Sequence, residues 1–176
     1  ALMLFDPGVG TVIWMPLASA SETSYRFDYE SLKWVIHGTF PYYQGLGYAD
    51  VYTAYDPGRG RHLVSSDTTL WWYDAVRGQW TPITNAPAEI VGAHSLAFDT
   101  VNRVFLVLKG HPDGRLVLWS VDGDGKWASV RPRGEGPDPL SFTGFLRGGL
   151  WSTLNFDVDR GLFLFVNVRS GNGNGG

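Results

Sequence analysis

Cysteine is absent from this sequence of 176 residues, and charged residues are few, at 18%. The lack of cysteine excludes disulfide bonds, thiolate ligands for a metal ion and a cysteine nucleophile. The formal net charge of -3 offers no basic surface for nucleic acid or an anionic membrane. No apolar run approaches the roughly eighteen residues that a membrane-spanning helix needs. We therefore predict no nucleic acid partner and no membrane span.

Glycine, proline and aromatic residues are abundant instead. The 23 glycines and 10 prolines interrupt the chain at short intervals, which leaves little room for a helix of about ten residues. Hydrophobic residues make up 44% and aromatic residues 15%, a composition typical of a folded domain. The composition predicts an all-β chain of short strands joined by tight turns.

One motif recurs four times along the chain: an aromatic residue, an aspartate, a tight turn and an apolar run. The copies are Phe5-Asp6 before residues 11–15, Tyr55-Asp56 before 61–65, Phe98-Asp99 before 104–108 and Phe156-Asp157 before 162–166. Their spacings are 50, 43 and 58 residues. Each copy predicts two antiparallel strands joined by a hairpin, because the turn residues favour reversal and the flanking residues favour strands.

A second aspartate follows the first three copies by 18 to 23 residues, and a tryptophan follows that aspartate. These signals are Asp28 with Trp34, Asp74 with Trp80 and Asp122 with Trp127. They predict a third and a fourth strand in each unit, with the aspartate at the turn. The three tryptophans are expected to pack between neighbouring units, where a large ring contributes about 1.5–3 kcal/mol of burial.

Four short strands per unit are typical of a β-propeller blade. The sequence resembles the kelch and galactose-oxidase-like family of blades, most clearly in its third unit, in Ala93-His94-Ser95, residues 105–110, residues 118–122 and Trp127. The diglycine of that family reads Lys109-Gly110 here. The resemblance implies an all-β propeller of four-stranded antiparallel blades. The predicted blades are 1–48, 49–92, 93–149 and an incomplete 150–176, about three and a half in all. The alternative is a β-sandwich with similar hairpins.

The predicted blade number is too small for a closed ring, since propellers typically have four to eight blades. Missing blades are therefore expected from the same polypeptide or from a second chain. A more specific alternative is that two copies join as a ring of seven.

In the propeller layout that the resemblance implies, the loops between blades and the loops between second and third strands lie on one face. The resemblance implies that this face, the loop face, is the binding face. Tyr42 and Tyr43 lie in one such loop and offer aromatic surfaces for a sugar or a peptide, unless they cover a joint between blades. Arg131, Arg133 and Glu135 lie in another, where arginine can clamp a carboxylate or phosphate, although a solvated loop explains the same residues.

His37, His94 and His111 are expected on the same face. Three imidazoles can bind zinc or copper, but the spacing of these residues follows no metal-ligand pattern. We predict no metal and no other cofactor. Galactose oxidase relies on a cysteine crosslinked to tyrosine, and this chain has no cysteine. Residues 120–127 resemble the Asp-box turn of sialidase-type propellers and are interpreted as a structural turn rather than a calcium loop.

No nucleophile elbow, phosphate loop or paired-carboxylate motif is visible. The leading hypothesis is a non-catalytic binding or assembly module of a larger secreted or cell-surface protein, which engages protein or glycan through the loop face. The alternative is a fragment of a secreted propeller enzyme, either an oxidoreductase or a glycan-active enzyme. The candidate ligand-binding residues are Tyr42, Tyr43, His94, His111, Arg131, Arg133 and Glu135.

Overall fold

The structure is a computed structural model that describes residues 2–16, 22–41, 51–66, 68–93, 95–110, 116–131 and 151–168. Side chains are described throughout these ranges except at 116, 151–154 and 162–168. The described chain contains fourteen strands, in three antiparallel sheets of four strands and one of two. Among the described residues, no helix is long and apolar enough to cross a membrane.

Each sheet is a simple meander, so strands that are consecutive in sequence are hydrogen-bonded neighbours. The first sheet contains β1 (Leu2–Asp6), β2 (Thr11–Met15), β3 (Thr23–Asp28) and β4 (Lys33–Thr39). The second contains β5 (Tyr52–Asp56), β6 (Arg61–Ser65), β7 (Leu70–Asp74) and β8 (Gln79–Pro82). The third contains β9 (Ser95–Asp99), β10 (Val104–Gly110), β11 (Leu116–Asp122) and β12 (Trp127–Ser129). The fourth contains β13 (Trp151–Asp157) and β14 (Leu162–Val168). A 3-10 turn at Ala88–Ile90 precedes β9.

The recurring aspartates form the hairpin turns through their side chains. In the third sheet, Oδ1 of Asp99 accepts the backbone N–H groups of Val101 and Asn102, both at 2.9 Å. Asp56 and Asp157 accept the N–H groups two and three residues later in the same way. This local bonding explains why the predicted hairpins lie where the aromatic-aspartate motif placed them.

Hydrophobic side chains fill the seams between consecutive sheets. The first seam, between the first and second sheets, is formed mainly by Leu2, Leu4, Ile13, Met15, Val64, Trp71 and Tyr73. The second seam, between the second and third sheets, is formed mainly by Leu63, Leu70, Leu96, Phe105, Val107 and Val121. Adjacent Trp71 and Trp72 belong to different seams, because successive side chains of a strand point to opposite faces. Strand β9 lies beside both β5 and β13, so the first strands of three sheets are neighbours.

The first sheet has one covered face and one uncovered face. Strand pairing aligns eight side chains on the uncovered side, which we call the open face: Met3, Phe5, Val12, Trp14, Tyr25, Phe27, Trp34 and Ile36. None of them is charged. Met3, Phe5, Trp34 and Ile36 are 62%, 57%, 41% and 74% exposed, respectively.

The three recurring tryptophans have different surroundings. Trp80 packs against the first seam and Trp127 against the second, as predicted for residues between units. Trp34 instead lies on the open face, where its ring contacts Trp14 and Phe27 of its own sheet. The prediction is therefore wrong for Trp34 within this chain, because no sheet of the described chain lies against that face.

Candidate functional site

Two of the cavities among the described residues lie at opposite ends of the strands. The first, the loop-face cavity, has a volume of about 220 Å³ and is lined by Glu22, Thr39, Phe40, Pro41, Trp71 and Trp80. Glu22 precedes β3 and Pro41 follows β4, so the cavity lies on the face that the sequence predicts to be functional. The backbone N–H of Phe40 donates to the carbonyl of Glu22 at 2.7 Å and holds the two connecting segments together.

Aromatic rings form one wall of the loop-face cavity. Trp71 and Trp80 meet edge to face, with ring centroids 6.4 Å apart, and Trp80 stacks on Tyr73 at 4.2 Å. The indole nitrogens of Trp71 and Trp80 are buried and have no hydrogen-bond acceptor within the described residues. Buried N–H groups usually have a partner, because leaving one without an acceptor costs about 1–3 kcal/mol.

The sequence-predicted ligand residues fall mostly outside the described chain. Tyr42, Tyr43, His94, His111, Arg133 and Glu135 all lie there. Arg131 is described and is exposed. Tyr42 and Tyr43 directly follow Pro41 of the loop-face cavity in sequence, whereas no described contact joins Arg131 to that cavity.

The second cavity, the arginine cleft, has a volume of about 310 Å³. It lies at the hairpin-turn end of the second sheet, on the face opposite to the predicted one, and is lined by Arg59, Arg61, Trp72, Asp74, Arg77, Gln79 and Thr81. The guanidinium carbon of Arg61 lies 4.0 Å from the centre of the Trp72 ring, in cation–π geometry.

The three arginines of the cleft have different partners. Arg77 pairs with Asp74 at 2.5 Å, and Arg59 lies 3.7 Å from Asp56 and 3.4 Å from Asp124. Arg61 donates from Nη2 to the carbonyl of Gly123 across the second seam. Burial, followed by the neighbouring charge of Arg59, lowers the pKa of Arg61 from its ordinary value. The guanidinium nevertheless stays charged near neutral pH, because arginine titrates far above it.

A buried polar pair crosses the first seam. His62 Nε2 lies 2.8 Å from Oδ2 of Asp6, and its Nδ1 lies 3.3 Å from the hydroxyl of Thr53. Both His62 and Asp6 are buried. Burial lowers the pKa of His62, and the hydrogen bond and charge of Asp6 oppose that effect without reversing it. The neutral ring can donate from Nε2 to Asp6 and accept from Thr53 at Nδ1.

The described residues contain no group of three or more His, Asp or Glu side chains that could hold a metal ion. Of the three histidines predicted on the loop face, only His37 is described, and its buried Nε2 has no partner among the described residues. The Asp-rich segment 120–127 forms a hairpin turn in which Oδ1 of Asp122 accepts the N–H groups of Asp124 and Lys126, both at 2.9 Å.

Solved structures with the same arrangement of sheets identify the fold. A structure of a nidogen/laminin complex matches with a TM-score of 0.57 and 12% identity over 89% of this chain. TolB from Acinetobacter baumannii matches with a TM-score of 0.55 and 13% identity over 97% of this chain. The fold is a β-propeller. This confirms the predicted fold class, all-β with four-stranded antiparallel blades, about three and a half of them in this chain.

The likeness to these propellers shows the fold alone. The chain spans 52% of the length of the matched chain in the nidogen/laminin complex and 39% of that of TolB. No protein-family model and no curated protein sequence matches the chain. The kelch assignment therefore stays a prediction.

Sequence reasoning missed the arginine cleft. It assigned function to the loop face, whereas the cleft is formed by two hairpin turns of the second blade at the opposite end. The available signal was the presence of Arg59, Arg61 and Arg77 at two turns that share one face of a propeller blade.

Proposed function

We propose that this chain is a non-catalytic binding and assembly module of a larger propeller. In this proposal the open face of the first blade packs against a further four-stranded blade, and the loop face binds a protein partner. The open face carries the proposal, since its eight uncharged side chains form a contiguous apolar surface, and surfaces of that kind mark interaction sites.

Comparison of the blades supports a blade as the occupant. The side chains at the positions equivalent to Val12, Trp14 and Phe27 are His62, Val64 and Tyr73 in the second blade, and all three of these are buried. In the third blade the equivalents are Phe105, Val107 and Val121, which are also buried. In both cases the preceding blade supplies the cover. The open face is the same surface without that preceding blade.

The covering surface has a recognisable chemistry. In the first seam it consists of aliphatic side chains from the two innermost strands, Leu2, Leu4, Ile13 and Met15. A blade that presents such a surface would complete the first blade, in the same polypeptide or in a second copy. The match covers only 52% and 39% of the two propeller chains, which leaves room for further blades in one polypeptide.

The assembly proposal is tested by placing charge on the open face. We expect Phe5→Lys and Ile36→Lys to weaken association of the chain in sedimentation experiments, and to destabilise any longer polypeptide that supplies a preceding blade by several kcal/mol. Val101→Lys is the matched control, because Val101 is equally exposed but lies in the hairpin turn of the third blade.

Each outcome of this test is informative. Loss of self-association in the variants supports a second copy as the source of the blade. A monomeric chain whose variants destabilise only the longer polypeptide supports a blade of the same polypeptide. Variants that behave like Val101→Lys in both settings would contradict the proposal.

Protein binding at the loop face is supported by the loop-face cavity. Its aromatic wall suits apolar side chains of a partner, and the indole N–H groups of Trp71 and Trp80 lack acceptors among the described residues. The nidogen/laminin structure, in which a matched propeller belongs to a complex of two proteins, agrees with this assignment.

The loop-face proposal is tested with a photo-crosslinking residue at Thr39. We expect crosslinks to one protein partner, and at least about a tenfold loss of affinity for that partner on Glu22→Lys. Val158→Lys, an exposed change in the fourth hairpin, should leave affinity unchanged. Equal affinity in Glu22→Lys and Val158→Lys would exclude the loop-face cavity as the contact.

A further inference from the structure

The arginine cleft lies on the hairpin-turn face, away from the loop face to which the proposed function refers. Three guanidinium groups, from Arg59, Arg61 and Arg77, surround one cavity, and the only carboxylate among its lining residues is Asp74. Such a cluster is costly to assemble in a folded protein, because like charges repel and partial burial removes water from them. We therefore consider which groups of the chain offset the positive charge of each arginine.

Arg77 and Arg59 are compensated by carboxylates. Arg77 forms its ion pair with Asp74, and Arg59 lies near Asp56 and Asp124. These ion pairs hold two positive charges at the rim of the cleft.

Arg61 is different. Within the described residues it has no carboxylate at ion-pair distance, and its buried Nε has no acceptor. Its guanidinium is half-buried, donates from Nη2 to the Gly123 carbonyl and rests against the indole ring of Trp72. This arrangement fixes the plane of the guanidinium. Asp56, Asp124 and Asp122 act on its charge from a distance, but no described carboxylate forms an ion pair with it. Planar, preoriented guanidinium groups bind carboxylate and phosphate through paired hydrogen bonds.

We propose that the arginine cleft binds an oxyanion, a carboxylate or phosphate group, with Arg61 as its principal ligand and Trp72 as the platform that orients Arg61. Arg59 and Arg77 add positive charge at the rim. The volume of about 310 Å³ lies at the lower end of the range for small-molecule pockets. The cleft therefore suits a small anion or a single acidic side chain.

The test uses two probes on the chain, inorganic phosphate and a triglutamate peptide, with chloride added to hold ionic strength constant. Binding is followed by tryptophan fluorescence, since Trp72 lines the cleft, and by the shift in thermal midpoint. We expect at least one probe to bind the wild-type chain, and Arg61→Gln to weaken that binding at least about tenfold. The probe that binds distinguishes a phosphate-bearing ligand from an acidic peptide.

The matched control is Arg160→Gln, which removes an exposed arginine from the hairpin turn of the fourth sheet. It should bind the probe with unchanged affinity. Arg77→Gln provides a second variant in case Arg61→Gln does not fold, because Arg77 is largely exposed and forms its ion pair with Asp74 of the same hairpin turn. We expect it to weaken binding severalfold. Absence of binding by both probes, or equal binding by Arg61→Gln and Arg160→Gln, would overturn the proposal. If Arg61→Gln does not fold, equal binding by Arg77→Gln and Arg160→Gln would overturn it.

Discussion

Asp6 and His62 form a buried hydrogen bond between two consecutive blades, at 2.8 Å. The equivalent of His62 in the third blade is Phe105, and in the first blade it is Val12, since all three occupy the second position of the second strand. The polar pair is thus a property of one seam and not of the repeat. Oδ1 of Asp6 accepts the backbone N–H of Val9, whereas the buried Oδ2 is paired with His62, so loss of the imidazole would leave that oxygen without its donor.

We expect His62→Ala to destabilise the chain by about 3 kcal/mol, because the ring is lost and Oδ2 of Asp6 is left buried without its partner. Chemical denaturation measures the difference. Val12→Ala, at the equivalent position on the open face, should cost less than about 1 kcal/mol. Equal costs for the two variants would show that the seam pair contributes little.

The same pair predicts a dependence of stability on pH. Burial lowers the pKa of His62 from 6.5, so the unfolded chain binds the proton more readily than the folded chain does. Asp6, Thr53, Tyr55 and Tyr73 face the ring, and only Asp6 favours its protonation. The contribution of neutral His62 is present above pH 6.5 and is lost as pH falls toward the lower folded-state pKa.

Denaturation between about pH 7.5 and 5.5 tests this expectation. The free energy of unfolding should fall with decreasing pH, by no more than about 1.4 kcal/mol per pH unit for one proton. His62→Gln should have a shallower slope, because the titrating group is removed while the other histidines remain. Parallel slopes for wild type and variant would contradict the assignment.

At the scale of the element, the hairpins between the third and fourth strands of the first two blades differ in backbone strain. The fourth residue after the aspartate has a positive φ in two of them, 53° at Leu32 and 63° at Gly78. This left-handed conformation costs about 1–2 kcal/mol for a residue with a Cβ and little for glycine. The first blade therefore carries strain at Leu32 that the second blade avoids.

We expect Leu32→Gly to stabilise the chain by about 0.5–1 kcal/mol, since Leu32 is 71% exposed and loses little burial. Gly78→Ala, the converse change at the equivalent position, should destabilise it by about 1 kcal/mol. Thermal and denaturant midpoints measure both. A loss of stability in Leu32→Gly would mean that the leucine side chain makes a compensating contact.

Local features of this kind explain how much the sequence predicts. The hairpins and strands were predictable because Asp99 and its counterparts bond to backbone only two or three residues away. The arginine cleft was not, because its charges come from separate turns and Arg61 is oriented by Gly123 of the next blade. The position of Trp34 on an uncovered face depends on a neighbouring blade, which no pattern within the first unit reveals.

At the scale of the whole molecule, the open face gives residues at equivalent positions of the first and second blades different degrees of burial. Trp80 stacks on Tyr73 and packs into the first seam, whereas Trp34 is 41% exposed. Truncation of a side chain costs more where its removal leaves a cavity than where water can replace it. The loss of stability on truncation of each tryptophan therefore shows whether another blade covers its face.

In this chain we expect Trp80→Ala to cost about 3 kcal/mol and Trp34→Ala about 1 kcal/mol. In a longer polypeptide with a preceding blade, the cost of Trp34→Ala should rise to that of Trp80→Ala. Denaturation of both variants in both settings provides the comparison. A cost for Trp34→Ala that stays constant would show that the face remains uncovered.

The first and second seams both join blades that are consecutive in the polypeptide, and this arrangement has a consequence for biosynthesis. A blade leaving the ribosome can pack at once onto the one made just before it, without waiting for distant segments. His62 would meet Asp6 as soon as the second blade is complete. Folding can thus proceed one blade at a time, in the direction of translation.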